Sequence, residues 1–358
     1  MKIGDQIFSV PVMMAPMAGV TNPEFRWLVA SYGASIVVSE MISVEGLVRK
    51  DRRTWHYLRS FRKVEGVSLK NISAVEFFQL FGSRPDSFAE AAKILQGEGI
   101  NHIDINAGCP VPKVVRQGAG SALLKNPDRL VRIVDTVRNS APDAVVTVKL
   151  RLGWDNASIN ILKVASDLAE LDIAAIIVHA RTAKQMYSGK ACWEWVKKLK
   201  ALVKIPIIGN GDIFSPNDVV ARMKETGCDG VMIGRGALGN PWFFQVLAAY
   251  FDPASWKMPE DNWEDLVSVV EAFTRLLERA GYNIGFIRKN MMWFSRGCPR
   301  SALFRGEIIK RNTVDDMLRC FQRWIELTVL QSGVSFLDAK GLRGVRNGGQ
   351  GCQNGGFL

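Results

Sequence analysis

The sequence predicts an α/β fold, a (β/α)8 TIM barrel followed by a small all-helical C-terminal domain. Short apolar runs alternate with helix-length amphipathic segments as far as about residue 250. The runs are continuous, as in parallel strands that are covered on both faces. Eight strand–helix units in roughly 250 residues match the size of a (β/α)8 barrel, and a doubly wound sheet is the alternative.

The predicted strands are short and rich in β-branched residues. Segments with helical spacing lie between most of them, for example residues 85–96 and 127–140. Proline marks several helix starts, because its fixed φ suits the first turn of a helix. The predicted strands are Val12–Ala15, Ser35–Ser39, Ala74–Phe81, His102–Asn106, Val145–Leu150, Ala174–His179, Pro206–Gly209 and Gly230–Gly234.

The pattern changes from Pro259 onward. Residues 263–281 and 314–330 have amphipathic helical spacing, and we expect residues 282–312 to be helical as well. We therefore predict a barrel domain over residues 1–252, a helical domain over 259–335, and a disordered tail over the Gly- and Asn-rich residues 341–358.

Composition excludes several classes of protein. Hydrophobic residues make up 47% of the 358 residues, too many for a disordered chain. The longest apolar runs are far shorter than the ~20 residues of a membrane span, and the N-terminus, which carries Asp5, does not resemble a signal peptide. Six cysteines without a C-x-x-C pair and three histidines argue against a metal site or a disulfide framework, and favour a reducing cytoplasm.

The positive charge is concentrated in two segments. The net charge is +11, and residues 47–72 and 282–312 carry most of the excess of Lys and Arg over acidic residues. Aromatic residues such as Trp55, Tyr57 and Trp293 are interleaved with the basic ones. This combination suits contact with phosphates and stacking on bases, so we favour a nucleic-acid partner over two merely solvated faces.

Almost every predicted strand ends in a polar group. A TIM barrel places its active site at the C-terminal ends of its strands, so these groups would meet at one rim. The strand ends are Pro16-Met17-Ala18, Glu40, Gln79, Asn106, Lys149, His179, Asn210-Gly211-Asp212 and Gly234-Arg235.

The last two strand ends predict a phosphate site. Glycines let the backbone approach an anion, and Arg235 adds a bidentate donor. Residues 234–239 read GRGALG, formally a dinucleotide-binding fingerprint, but they close a series of eight strands rather than open a βαβ unit. The alternative is that these glycines only form tight turns.

Four of the residues at or near the strand ends suggest flavin chemistry. Lys149 at the barrel mouth would suit an electron-rich flavin ring, although its head could instead reach solvent. His179 ends a strand in the same layer, where a structural histidine is the alternative. Cys109 lies in a loop at the same end and could donate a proton to a carbanion-like carbon. Asn106 could hydrogen-bond a planar heterocycle.

These residues belong to motifs that resemble the tRNA-dihydrouridine synthases, most of all the B-type bacterial branch. The resemblance covers nearly the whole barrel, and INAGCP is its most specific element. In the second domain, IRKNMMWFSRG (287–297) resembles a family segment that reads RKH, with Asn290 in place of the histidine. The barrel motifs are MAPMAGVTNPEFR (14–26), QLFGSRPDSFAEAA (79–92), DINAGCPVPKVVRQGAGSALL (104–124), VKLRLGWD (148–155), VHARTAKQMYSGKACW (178–193), GNGDIF (209–214) and GCDGVMIGRGALGNPWFF (227–244).

The resemblance implies an FMN-dependent enzyme that reduces specific tRNA uridines to 5,6-dihydrouridine, with NADPH or NADH as the electron donor. The barrel would then bind FMN and the helical domain tRNA. Hydride would pass from flavin N5 to C6 of uracil, and Cys109 would protonate C5. By the same resemblance, Asn106 and Arg181 would orient the uracil, and Arg288 and Lys289 would contact tRNA. The implied cofactor-binding residues are Pro16, Met17, Ala18, Gln79, Lys149, His179, Asn210, Gly211, Asp212, Gly234 and Arg235.

Two other functions remain open from the sequence. One is a flavin barrel that acts on a free pyrimidine such as dihydroorotate, and the other is a non-catalytic RNA-binding barrel. We further expect a cytoplasmic monomer with no stable protein partner.

Overall fold

The computed structural model describes residues 1–343, and its centre is a closed barrel of eight parallel strands. An N-terminal antiparallel hairpin precedes the barrel, and one two-residue strand extends the sheet beside β6. The strands are β1 Lys2–Ile3, β2 Gln6–Ile7, β3 Val12–Met14, β4 Ile36–Val38, β5 Ile42–Ser43, β6 Val75–Phe81, β7 His102–Ala107, β8 Val145–Arg151, β9 Ala175–His179, β10 Ile207–Asn210 and β11 Gly230–Ile233.

The barrel closes because β3 pairs with both β4 and β11, and β4 pairs with β6. The predicted barrel is therefore confirmed, and the doubly wound alternative is wrong, since an open sheet has two edges. One strand lies within each of the eight predicted segments or overlaps it to within a residue.

Helices cover the outside of the barrel and form the C-terminal region. Local sequence sets their ends: Asn126 caps α6, and a capping box between Ser215 and Asp218 starts α9. The helices are α1 Pro23–Ser31, α2 Val44–Val48, α3 Arg52–His56, α4 Pro85–Gly97, α5 Pro112–Val115, α6 Pro127–Ser140, α7 Ile161–Ala169, α8 Glu194–Leu202, α9 Pro216–Thr226, α10 Trp242–Phe251, α11 Trp263–Arg279, α12 Ile284–Phe294, α13 Ser301–Ile308, α14 Val314–Trp324 and α15 Phe336–Ala339.

The C-terminal region is helical as predicted, with different boundaries. Residues 282–312 form two helices, α12 and α13, and the helix predicted over 314–330 changes to a π-helical turn at Ile325–Val329. The sequence did not predict α15. Of the predicted tail, residues 341–343 form a turn and residues 344–358 lie outside the described residues. The assignment of 1–252 and 259–335 as separate domains stays a prediction.

The helical region is joined tightly to the end of the barrel. Gly239, which follows β11, has a φ of +68°, and a Cβ at this position would lie 2.2 Å from the carbonyl of Trp293 in α12. Lys340 is buried at the same junction, where its Nζ donates to the carbonyl oxygens of Phe294 (2.5 Å) and Gly239 (3.2 Å). The last helices are therefore fixed to the barrel by backbone contacts as well as by packing.

Strand alternation decides which residues face the inside of the barrel. Met13, Ile36, Phe77, Ile177 and Ile208 form a small apolar cluster separate from the main core, which lies between strands and helices. Since successive side chains point to opposite faces of a strand, residues two positions further along point inward as well. That series leads to Gln79, His179 and Asn210 at the C-terminal ends of the strands.

Candidate active site

The inward positions change from apolar at the floor of the barrel to polar at its mouth. On β8 the inward series is Val145, Thr147, Lys149 and Arg151, and on β7 it ends at Asn106. The sequence therefore places its polar strand ends in one layer, because each has the same phase as the inward-facing residues below it.

A cleft that is partly open to solvent lies at this mouth. It collects most of the residues that the sequence predicted for cofactor binding. Ala18 is exposed on the adjoining loop and Gln79 is buried beneath the cleft, so neither lines it directly. The lining includes Pro16, Met17, Lys149, His179, Asn210, Gly211, Asp212, Gly234 and Arg235.

Cations dominate the inner part of the cleft. The Nζ of Lys149 donates to Oδ1 of Asn210 at 3.3 Å, its single hydrogen bond to a side chain among the described residues. Surrounding protein and then the charge of Arg151 lower the pKa of Lys149, while Asp104 opposes this change. An ammonium with unused donors beside a cleft suits an electron-rich or anionic ligand.

His179 is neutral at physiological pH. Burial lowers its pKa far below the usual value, and the charges of Lys149, Arg151, Arg181 and Arg235 lower it further. Its ring lies near that of Tyr187, with the centroids 6.2 Å apart. His179 therefore contributes a neutral imidazole to a positive site.

Backbone geometry and an arginine shape the outer end of the cleft. Gly211 has a φ of +121°, and a Cβ there would come within 3.0 Å of Cδ2 of His179. The guanidinium of Arg235 lies over the rings of Tyr187 (4.7 Å) and Phe214 (5.5 Å) and remains 43% exposed. Arg235 can therefore meet an anion that enters beside Gly234.

The carboxylate of Asp212 is already engaged. It accepts hydrogen bonds from Nη2 of Arg181 (2.7 Å) and the backbone N–H of Ala191 (2.8 Å), and it lies 3.7 Å from Arg235. Although partial burial opposes the shift, these hydrogen bonds and charges lower the pKa of Asp212. The side chain thus orients arginines, and a contact with a phosphate would have to use the backbone of Asp212.

Arg181 is placed differently from its predicted role. Its buried guanidinium donates to the carbonyl oxygens of Ser188 (3.2 Å) and Gly189 (2.7 Å) as well as to Asp212. It does not line the cleft. In this structure Arg181 holds the loop after β9 in place rather than facing a substrate, because its donors are used within the protein.

Cys109 lies in the loop that follows β7. Oδ1 of Asn106 accepts the N–H groups of Gly108 (3.1 Å) and Cys109 (2.9 Å), and Nε of Arg151 donates to the carbonyl of Gly108 (3.0 Å). Burial raises the pKa of the Cys109 thiol, and the nearby charges of Arg151 and Lys149 offset only part of this increase. The thiol is therefore protonated at neutral pH, as a proton donor must be.

The two basic segments meet at a second cleft beside the loop after β3. Lys289 on α12 is exposed, and its Nζ donates to the carbonyl of Gly19 at 2.9 Å. Arg288 is half-buried and donates to the carbonyl of Arg311, so only Lys289 of this pair faces the barrel. Asn290 is buried and donates to the carbonyl of Phe286 within α12. The lining includes Arg52, Arg53, His56, Tyr57, Tyr282 and Phe286.

Sequence reasoning missed three residues of the site. Asp104 lies two positions before Asn106, and Arg151 two positions after Lys149, so strand alternation could have placed both inside the barrel. Tyr187 lies in a loop, within the motif 178–193, and only that motif pointed to it. Across residues 1–343, no cluster of three or more His, Cys, Asp or Glu could hold a metal, and no helix there has the length and apolar character of a membrane span.

A closed parallel barrel with a polar cleft at the carboxyl ends of its strands defines a TIM-barrel enzyme. The fold is similar to that of the old yellow enzyme from Trypanosoma cruzi, with a TM-score of 0.50 at 11% identity over 74% of this chain and 94% of that one. This likeness concerns the fold alone.

The sequence model of the dihydrouridine synthases matches residues 13–327, and the chain belongs to this family. A probable tRNA-dihydrouridine synthase of Rickettsia conorii is 37% identical over 319 residues, 88% of this chain and 93% of that protein. One of Mycobacterium tuberculosis is 38% identical over 331 residues, 88% of this chain and 82% of that protein. The predicted family and the prediction of an enzyme are both confirmed.

Proposed function

We propose that this protein reduces specific uridines in tRNA to 5,6-dihydrouridine, with FMN bound in the barrel mouth and NADPH or NADH as the electron donor. The observation that carries the proposal is that Lys149 and Arg235 line one cleft, while Asn106, three residues before Cys109, pairs with Lys149 in the strand register. Membership of the dihydrouridine synthase family and the names of the relatives support the substrate.

The residues of the cleft fit a flavin. Lys149 and Asn210 lie where they can hold the polar edge of the isoalloxazine, and the neutral His179 adds a polar ring without adding charge. Gly234 and Arg235 suit the terminal phosphate. The glycine lets the backbone approach the phosphate closely, and the Arg235 side chain is 43% exposed, so its guanidinium can donate to the phosphate oxygens. When bound, the flavin supplies hydride to C6 of uracil.

Cys109 supplies the proton in this proposal. Its thiol is protonated, lies in a loop held by Asn106 and Arg151, and would deliver the proton to C5 of the uracil ring. The second N–H of Asn106 donates to Sδ of Met41 (3.2 Å), and we propose that the base replaces this weak acceptor when it binds. Because Arg181 is used internally, we propose that its effect on the uracil is indirect, through the loop after β9.

The second cleft favours tRNA over a free pyrimidine such as dihydroorotate. A stacked base cannot reach the barrel mouth, so the target uridine has to leave the helix while the rest of the RNA is held. The cleft combines Arg52 and Arg53 with the stacked rings of Tyr282 and Phe286, whose centroids are 4.5 Å apart. Lys289 lies beside it, where its Nζ donates to the carbonyl of Gly19. A small anionic substrate would have no use for this surface.

The test uses the purified full-length protein. We expect a yellow protein that NADPH or NADH bleaches and that tRNA lacking dihydrouridine reoxidises, with dihydrouridine appearing in the nucleosides measured by mass spectrometry. Cys109→Ala should keep the colour and lose turnover, and Cys192→Ala, at an exposed cysteine, is the matched control. Wild-type turnover by the Cys109→Ala variant would show that Cys109 is not the proton donor. Turnover of free uracil or orotate, without turnover of tRNA, would refute the proposal that tRNA is the substrate.

The cytoplasmic location and the monomeric state remain predictions from the sequence. Sedimentation of the loaded enzyme, with and without tRNA, measures the oligomeric state directly.

A further inference from the structure

One polar layer lies beneath the cleft and has no role in the reaction as proposed. Gln79 on β6, Asp104 on β7 and Thr147 on β8 occupy the same level, because Gln79 pairs with Asp104 and Asp104 with Thr147 in the strand register. All three are 0% exposed. A carboxylate so deep in a barrel is costly unless it is fully hydrogen-bonded, so its retention needs a reason.

Hydrogen bonds connect this layer to Cys109. Oδ1 of Asp104 accepts from Oγ1 of Thr147 (2.6 Å), and Oδ2 accepts from Nε2 of Gln79 (2.5 Å). Oε1 of Gln79 accepts from Nδ2 of Asn106 (2.8 Å). Oδ1 of Asn106 then accepts the backbone N–H groups of Gly108 and Cys109. The chain of bonds runs without a break from the floor of the site to the reactive loop.

The direction of this chain is fixed at both ends. Each amide has a donor end and an acceptor end, and the backbone N–H groups at the loop can only donate. Asn106 must therefore present its oxygen to the loop and its nitrogen to Gln79, and Gln79 must present its nitrogen to position 104. Position 104 must therefore supply a hydrogen-bond acceptor to Gln79, and the carboxylate of Asp104 is such an acceptor.

We propose that Asp104 is a positioning residue that sets the direction of these hydrogen bonds and thereby holds Asn106 and the Cys109 loop in their reactive arrangement. The inference rests on the proposed function for the meaning of Cys109, but the arrangement itself can be measured without turnover. Thr147 supports Asp104 from the other side and does not affect the direction, because its hydroxyl donates to the carboxylate oxygen that faces away from Gln79.

Removal of the acceptor at position 104 releases the chain. In Asp104→Leu, nothing at position 104 accepts from Nε2 of Gln79, so Gln79 can turn over, Asn106 follows, and its oxygen leaves the N–H groups of Gly108 and Cys109. Losing a buried hydrogen-bond partner shifts a local opening equilibrium by about tenfold. We therefore expect Cys109 to react with iodoacetamide about tenfold faster in this variant.

An exchange of the two groups restores the direction. In the double variant Gln79→Glu with Asp104→Asn, the amide at 104 donates to the carboxylate at 79, which still accepts from Asn106. Gln79→Glu alone places two carboxylates opposite each other. At alkaline pH, where both are ionised, neither can donate, and the variant is expected to loosen the loop as Asp104→Leu does. The alkylation rate of the double variant should return to within about threefold of the wild type.

The experiment follows alkylation of the Cys109 peptide by mass spectrometry, in flavin-free and flavin-loaded protein. Peptide mapping separates Cys109 from the exposed Cys192, and thermal melts establish that each variant is folded. Thr147→Val, which keeps the acceptor, is the matched control and should leave the rate unchanged. If Asp104→Leu does not fold, Gln79→Glu is compared with the double variant instead.

Two results would overturn the inference: a wild-type alkylation rate in the folded single variants, or a double variant that reacts as fast as they do. The failure of tRNA reduction in the wild type would overturn the proposed function and leave this result standing, because alkylation reads the loop and not the turnover.

Discussion

The junction between the barrel and the helical region gives a sharp test of the packing. We expect Gly239→Ala to lower the free energy of unfolding by more than a glycine substitution with the same backbone conformation elsewhere. Gly239 has a φ of +68°, and the added Cβ would lie 2.2 Å from the carbonyl carbon and oxygen of Trp293. Since real Cβ contacts are longer by more than an ångström, α12 has to move or the alanine has to change conformation.

The matched control is Gly281→Ala, which has a φ of +79° with no atom within 4 Å of the added Cβ. Both variants lose about 1–2 kcal/mol because alanine is disfavoured at positive φ. The overlap at Gly239 adds the loss from overpacking, about 1–3 kcal/mol. Urea unfolding followed by circular dichroism measures both variants, and equal midpoints would show that the junction is looser than the structure indicates.

Three further predictions concern the site. Lys149→Met should weaken FMN binding by at least tenfold, since a charge-assisted hydrogen bond contributes ~1.5–3 kcal/mol. Fluorescence titration measures the Kd, with the exposed Lys190→Met as the control, and an unchanged Kd would contradict the role of Lys149. Lys289→Ala should reduce the slope of log tRNA affinity against log salt concentration by about one. Because Arg288 is half-buried, Arg288→Ala should lower thermal stability more than it changes this slope. The opposite outcome would exchange the roles of the two residues. Burial and nearby cations lower the pKa of His179, so below pH 6.5 the unfolded chain binds a proton that the folded protein does not. The free energy of unfolding should therefore fall as the pH drops below 6.5, by up to ~1.4 kcal/mol per pH unit. His179→Gln should flatten this dependence, as measured by urea unfolding at pH 5 and 7.

Much of the site could be predicted because strand phase is visible in the sequence. Alternation along a strand tells which side chains share a face, and barrel closure brings the ends of all strands to one rim. Lys149, Asn210 and Arg235 meet for this reason, although they are separated by dozens of residues. The same reasoning would have placed Asp104 and Arg151 inside the barrel.

Partners across the fold could not be predicted in this way. Arg181 lies two residues past the end of β9, but its hydrogen bonds go to carbonyl groups of its own loop and to Asp212, and no sequence pattern reports that choice. Lys340 is a second case, because a lysine near the predicted end of the helical domain reads as exposed. It is buried only because carbonyl oxygens from two distant segments converge on its ammonium group.

The alternation along β8 has a consequence for how this site can change over time. Val145, Thr147, Lys149 and Arg151 share one phase, so a single inserted or deleted residue within the strand would turn the whole series outward and bring Val146, Val148 and Leu150 into the lumen. Point replacements can adjust the chemistry one position at a time, whereas a change in strand length removes every polar group of that strand in one step. We therefore expect changes in length to be tolerated in the loops and not within β8.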